Sequence, residues 1–167
     1  MRRWMVWFGL ASALVLFTTT GAAAQGPPHD AVTGGGQHLA FGTGPGSVAF
    51  GISAHSGPSG EDAHGSLTFT VIGEGTQSVH ATVTCLIVTG NEAFATAVIT
   101  HPKAIEGQVT VLDAVDNGGP SSDMPDLIRF SFEGFIVPAP GQPDCFLPVL
   151  PPVEVTKGNI VVRDATP

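Results

Sequence analysis

The sequence predicts an all-β protein: an antiparallel meander of about eight strands, closed into a barrel or flattened into a two-sheet sandwich. Three observations predict it. Apolar residues recur at every second position in one segment after another, with Ser and Thr between them. Clusters of Gly, Pro, Asn and Asp punctuate those segments. No segment makes a convincing helix. The Ala-rich stretch 93–97 comes nearest, and the Val98-Ile99-Thr100 that follows it favours a strand.

The chain opens with Met1-Arg2-Arg3, an apolar run from Trp4 to Phe17, and then Thr18 to Gln25 with Ala22-Ala23-Ala24. A basic start, an apolar centre and small residues at a cut site describe a secretory signal peptide over residues 1–24. The apolar run falls short of the roughly 20 residues that span a bilayer. Export to the cell envelope or the medium is therefore expected. After cleavage, four cations (Lys103, Arg129, Lys157 and Arg163) face all 14 acids, a net charge of −10. That balance argues against nucleic acid, which is bound through cations. Both tryptophans leave with the leader and there is no tyrosine, so the usual stacking platform for sugars is missing.

Residues 25–46 read as a Gly/Pro-rich arm holding one short strand, Ala31-Val32-Thr33, ahead of Gly34-Gly35-Gly36. The β-domain proper is expected over 47–164. In Ser47 to His55, Val48, Phe50, Ile52 and Ala54 share a face; in Ser66 to Ile72, Leu67, Phe69 and Val71 do. Ser78 to Thr89 places Val79, Ala81, Val83, Cys85 and Ile87 on one face. Gly90-Asn91 then suits a primed hairpin turn into Glu92 to Thr100. Gly107 to Asp116 offers Val109, Val111 and Val115 to the core, with a bulge expected near Leu112-Asp113. Ile128, Phe130 and Phe132 alternate with Arg129, Ser131 and Glu133. Residues 138–153 hold six prolines and read as extended loop. Gly158 to Asp164 is the last strand.

Cys85 and Cys145 are the only cysteines, and an exported chain permits their single pairing. Such a bridge would close a loop of about 60 residues, worth about 4 kcal/mol at most in the chain-entropy account. It would pin the proline-rich stretch to the longest strand.

Several short motifs occur in order: Val32-Thr33-Gly34-Gly35-Gly36, Ala63-His64-Gly65-Ser66-Leu67, Val83 to Asn91, Asp116-Asn117-Gly118-Gly119-Pro120, and Gly158-Asn159-Ile160. As a set they resemble a family of small exported all-β domains from actinobacteria and related bacteria. The resemblance spans nearly all of the mature chain. It implies export and a β-fold, and it supplies no catalytic residue.

Two clusters carry candidate chemistry. Asp113, Asp116, Asn117, Asp123 and Asp126 surround a Gly-Gly-Pro turn and are candidate calcium ligands, since calcium takes six to eight oxygens from flexible loops. The same residues serve equally as turn formers. His55, Glu61, Asp62 and His64 crowd one loop, with His80 and His101 further on. Zinc takes such ligands, although no HExxH spacing is present. There is no G-x-S-x-G nucleophile turn and no phosphate loop opening a helix. The expectation is a non-catalytic domain, with a structural or interaction role toward a partner in the envelope or outside it. The alternative is a binding module for calcium or for a small apolar ligand. A lumen with room beside Phe50, Phe69, Phe130 and Phe132 would favour the apolar ligand.

Overall fold

The computed structural model describes residues 28–39, 46–72, 76–119 and 122–165. The leader expected over 1–24 lies outside them. The described residues are nearly all strand and contain no α-helix. In chain order the strands are β1 (Asp30–Leu39), β2 (Ser47–Ser56), β3 (His64–Ile72), β4 (Gln77–Thr89), β5 (Glu92–His101), β6 (Val109–Val115), β7 (Leu127–Phe132), β8 (Ile136–Ala139), β9 (Gln142–Pro148), β10 (Val153–Glu154) and β11 (Lys157–Arg163). Nine of them form one antiparallel sheet in the order β10-β7-β6-β5-β4-β3-β2-β1-β11, curled into a half-barrel; β8 and β9 make a separate hairpin.

The expected alternation builds most of the interior. Val48, Phe50, Ile52 and Ala54 of β2, Leu67 and Phe69 of β3, and Ile128 and Phe130 of β7 are all buried in one cluster. At the β4–β5 connection, Gly90 adopts φ 61° at the first central position, as a type II′ turn requires.

Four expectations need correction. The first concerns β4. Val79, Ala81 and Val83 face the core, but Thr84 is an extra residue between Val83, opposite Ala97, and Cys85, opposite Thr96. This bulge exchanges the faces of everything after it. Leu86 takes the inward position, while Cys85 and Ile87 turn outward against Ala139, Cys145 and Leu147. Secondly, β6 is paired without a break on both sides. Leu112 and Ala114 face the core, and Val109, Val111 and Val115 stand on the other face.

Thirdly, β1 is a ten-residue strand that runs straight through Gly34-Gly35-Gly36 and pairs on both sides. Those glycines are required by close approach. A Cβ on Gly34 would overlap the carbonyl of Asn159, one on Gly36 the carbonyl of Lys157, and one on Gly158 the carbonyl of Gly35. Fourthly, the proline-rich stretch forms β8 and β9 rather than a loop. A two-stranded ribbon leaves one edge of each strand free, so proline sits there without breaking a ladder. Cys85 and Cys145 form the disulfide that ties this hairpin to β4, with Cα atoms 5.5 Å apart. The Phe146 amide adds a bond to Thr96 Oγ1 of β5 (2.9 Å).

The glycine-lined contact between β1 and β11 generates a direct test. Gly36→Ala should lower stability by about 1–3 kcal/mol, the usual cost of forcing atoms into a packed site. Gly119→Ala, where an added Cβ meets nothing within 4 Å, should lie within about 0.5 kcal/mol of the parent. Urea unfolding of both variants checks the difference.

Candidate functional site

The acidic stretch is at the seam of the curled sheet. β10 and β11 are consecutive in the chain, yet they are its two outermost strands. Val155 and Thr156 cross between them: the Val155 amide bonds the Asp126 carbonyl beside β7 (2.9 Å), and the Thr156 amide bonds the Gln37 carbonyl of β1 (2.8 Å). β11 has β1 on one side only, and on its other side side-chain carboxylates replace a strand. Asp126 accepts from the Ile160 amide through Oδ2 (2.8 Å) and from the Asn117 amide through Oδ1 (2.9 Å). Asp116 accepts from the Val162 amide through Oδ2 (3.1 Å) and from the Gly118 amide through Oδ1 (2.8 Å). Asn117 Nδ2 donates to the Pro125 carbonyl (2.7 Å).

Of the five candidate calcium ligands, the structure therefore gathers Asp116, Asn117 and Asp126, and these three are engaged with main-chain groups. Asp123 is exposed on the intervening turn. Asp113 stands apart on β6, on the outer face of the sheet. Among the described residues, no group of three or more His, Cys, Asp or Glu side chains has its donor atoms gathered as in a metal-bound site.

Asp113 is 1 % exposed and paired with Arg129 of β7, which also reaches Glu92 of β5 (3.3 Å). Burial raises the Asp113 carboxyl to about 6, against the pull of the Arg129 guanidinium; Glu92 adds to the rise. Its second oxygen, Oδ1, is buried without a hydrogen-bond partner, which also disfavours the charged form.

At the end of the half-barrel where β1, β3 and β7 finish, the described residues leave the interior open. A pocket of about 340 Å³ is lined by His38, Val48, Phe69, Val71, Phe130, Phe132, Phe135 and Leu150. Phe69 and Phe130 lie 5.3 Å apart at a tilt, and Phe69 meets Phe132 edge-on at 5.4 Å. Phe50 packs against Phe130 (6.0 Å) and belongs to the core behind the wall. His38 is fully buried and near-parallel to Phe130, with ring centres 5.7 Å apart. Its Nδ1–H donates to the Leu39 carbonyl (2.7 Å). Burial lowers its pKa, so the imidazole is neutral near pH 7. Exposed apolar side chains stand round the opening: Phe135 is 54 % exposed and Phe132 37 %.

Sequence reasoning identified Phe69, Phe130 and Phe132 but missed His38, Phe135 and Leu150. His38 continues the inward series Val32, Gly34, Gly36, and was legible only to a reader who carried the strand through the glycines. Phe135 and Leu150 flank the β8–β9 hairpin, where no alternation marks them.

At the opposite end, His29, His55 and His64 come together on the outside, with Glu61 and Asp62 beside them in a shallow pocket. His80 and His101 form a separate cross-strand pair. No family model, curated protein or solved structure matches the chain. Among the described residues, no helix is long and apolar enough to cross a membrane.

The buried Asp113 sets an expectation for Arg129→Met, which leaves a buried carboxyl without its cation. The loss should be about 3–5 kcal/mol at pH 8. A carboxyl raised on folding holds its proton more tightly in the native state, so its contribution favours folding at low pH and declines as pH rises through about 6. The penalty of the variant should therefore shrink at pH 5, measured by unfolding at both pH values.

Proposed function

We propose that this chain is an exported, non-catalytic β-domain that holds a small, neutral, apolar ligand in the open end of its curled sheet. The observation that carries this reading is the pocket bounded by Phe69, Phe130, Phe132 and Phe135. Its size matches the lower part of the roughly 300–1,000 Å³ range typical of small-molecule sites. It supports the binding module over a purely structural role, because a packed interior leaves few voids larger than a water molecule. The leader-like N-terminus, the disulfide and the resemblance to exported β-domains support the extracellular or envelope setting.

The lining also favours a class of ligand. Among the described residues it carries no Lys or Arg, and the mature chain is strongly acidic. A carboxylate or phosphate buried there would lose its hydration with no counter-charge to replace it. A neutral hydrophobe incurs no such cost and gains from each apolar area it removes from water. Offset and edge-on packing against the phenylalanine rings suits an aromatic or unsaturated molecule. Among the described residues, the titratable group in the lining is His38, kept neutral by burial. The calcium alternative has less support, since Asp116 and Asp126 already accept main-chain amides on both oxygens.

The neutral solvatochromic dye Nile red tests this reading. The protein should bind one dye per chain with a blue-shifted emission. Val71→Arg, a substitution of a half-exposed residue at the opening, should weaken binding by about tenfold or more, since a charge enters an apolar site. Absence of a blue shift, or equal binding by the variant, contradicts the proposal.

A further inference from the structure

We propose that His29, His55 and His64 hold one divalent transition-metal ion of the zinc class on the outer face of the half-barrel, at the end opposite the apolar pocket. The site is independent of the ligand-binding proposal. β2 and β3 pair so that His55 lies directly opposite His64. β1 pairs with β2 so that Ala31 lies opposite His55, and His29 immediately precedes β1. His55 is thus flanked by an imidazole on each side, the three coming from adjacent elements. Ring centres are 5.6 Å apart for His29 and His55, and 5.8 Å for His55 and His64. Two imidazoles sharing a tetrahedral zinc, with nitrogens about 2.0–2.1 Å from the ion, place their ring centres about 5–5.5 Å apart. The rings stand just outside that separation. The donor atoms of the three rings do not converge on one point; the site requires the exposed His29 and the half-buried His55 to turn about their side-chain torsions toward His64, whose ring the Asp62 carbonyl already holds.

A second observation distinguishes this cluster from a chance meeting of surface histidines. His64 Nδ1–H donates to the Asp62 main-chain carbonyl (2.8 Å). That bond fixes the tautomer that presents Nε2 as a lone-pair donor, which is the usual outer support of a metal-binding histidine. The carbonyl is aimed by an unusual backbone: Asp62 has φ 54°, the one non-glycine residue in the left-handed region among the described residues. The loop before it is bonded to itself. The Gly57 amide donates to the Glu61 carbonyl (2.8 Å), the Gly60 amide to the Gly57 carbonyl (2.9 Å), and the Ser59 amide to Glu61 Oε2 (2.7 Å). Glu61 and Asp62 line the same shallow pocket, which favours a cation. Each imidazole contributes one nitrogen, so its other nitrogen keeps any hydrogen bond it already makes. Three histidines and an open fourth position are a ligand set that zinc accepts.

The test titrates the purified protein with zinc against a chromogenic chelator and with cobalt(II), read by its visible absorption. The expected result is one ion per chain and the intense visible bands of tetrahedral cobalt. His29→Gln, His55→Gln and His64→Gln should each lower zinc affinity by about tenfold or more. The double variant His80→Gln/His101→Gln, which removes a histidine pair of equal spacing (5.8 Å) but lacking a third ring, should bind as the parent does. Circular dichroism confirms that each variant is folded; His64, being exposed, gives the variant least affected by packing. No uptake, uptake that survives His55→Gln and His64→Gln, or uptake lost in the His80/His101 double variant would each overturn the proposal. Full affinity in His29→Gln overturns the three-histidine assignment.

Discussion

The curl of this sheet depends on how the free side of β11 is satisfied. A strand at the end of a sheet presents unpaired amides, which are costly to bury and prone to pairing with another chain. Here the Ile160 and Val162 amides are taken by the carboxylates of Asp126 and Asp116, from the turn that joins β6 to β7. The acceptors are carboxylates and the donors are main-chain groups, so each bond belongs to the stronger class of about 1.5–3 kcal/mol. Two side chains thus do what a tenth strand would do in a continuous ladder. They also explain how consecutive strands, β10 and β11, sit at opposite ends of the strand order.

The closeness of that seam determines what fills the interior. β1 approaches β11 so tightly that Gly34, Gly36 and Gly158 have no room for a side chain. Across the half-barrel, β5 presents Ala93, Ala95 and Ala97, all fully buried. Small residues on these strands let the sheet bend sharply, while Phe50, Phe69 and Phe130 fill the wider part. Toward the opening, among the described residues, the rings leave a space between them, and the pocket is that space. The disulfide and the bond from Phe146 to Thr96 hold the β8–β9 hairpin over the outer face, which buries Cys85 and Cys145 outside the core.

The legible parts of the fold are those where alternation is unbroken. β2, β3 and β7 each show an apolar series that the structure buries as expected. β4 shows an equally clean series that misleads, because a bulge at Thr84 is a property of backbone pairing and leaves no mark on side-chain type. The glycine run in β1 reads as a break, since local propensity treats glycine as a turn former. Its reason lies in a strand more than 120 residues away. The aspartates around the Gly-Gly-Pro turn are correctly marked as unusual by composition. Their engagement with β11 follows from tertiary closure, which spacing alone does not encode. The histidines at 55 and 64 were legible as neighbours, while His29 joins them only through the pairing of β1 with β2.

Hydrogen exchange measured by NMR addresses the seam most directly. In the parent protein the Ile160 and Val162 amides should exchange as slowly as those of the central strands β4 and β5, although neither bonds to a strand on that side. In Asp126→Ala the Ile160 amide should lose that protection while the β4 and β5 amides keep theirs. Fast exchange of Ile160 and Val162 in the parent, or unchanged protection of Ile160 in the variant, would contradict closure by carboxylates.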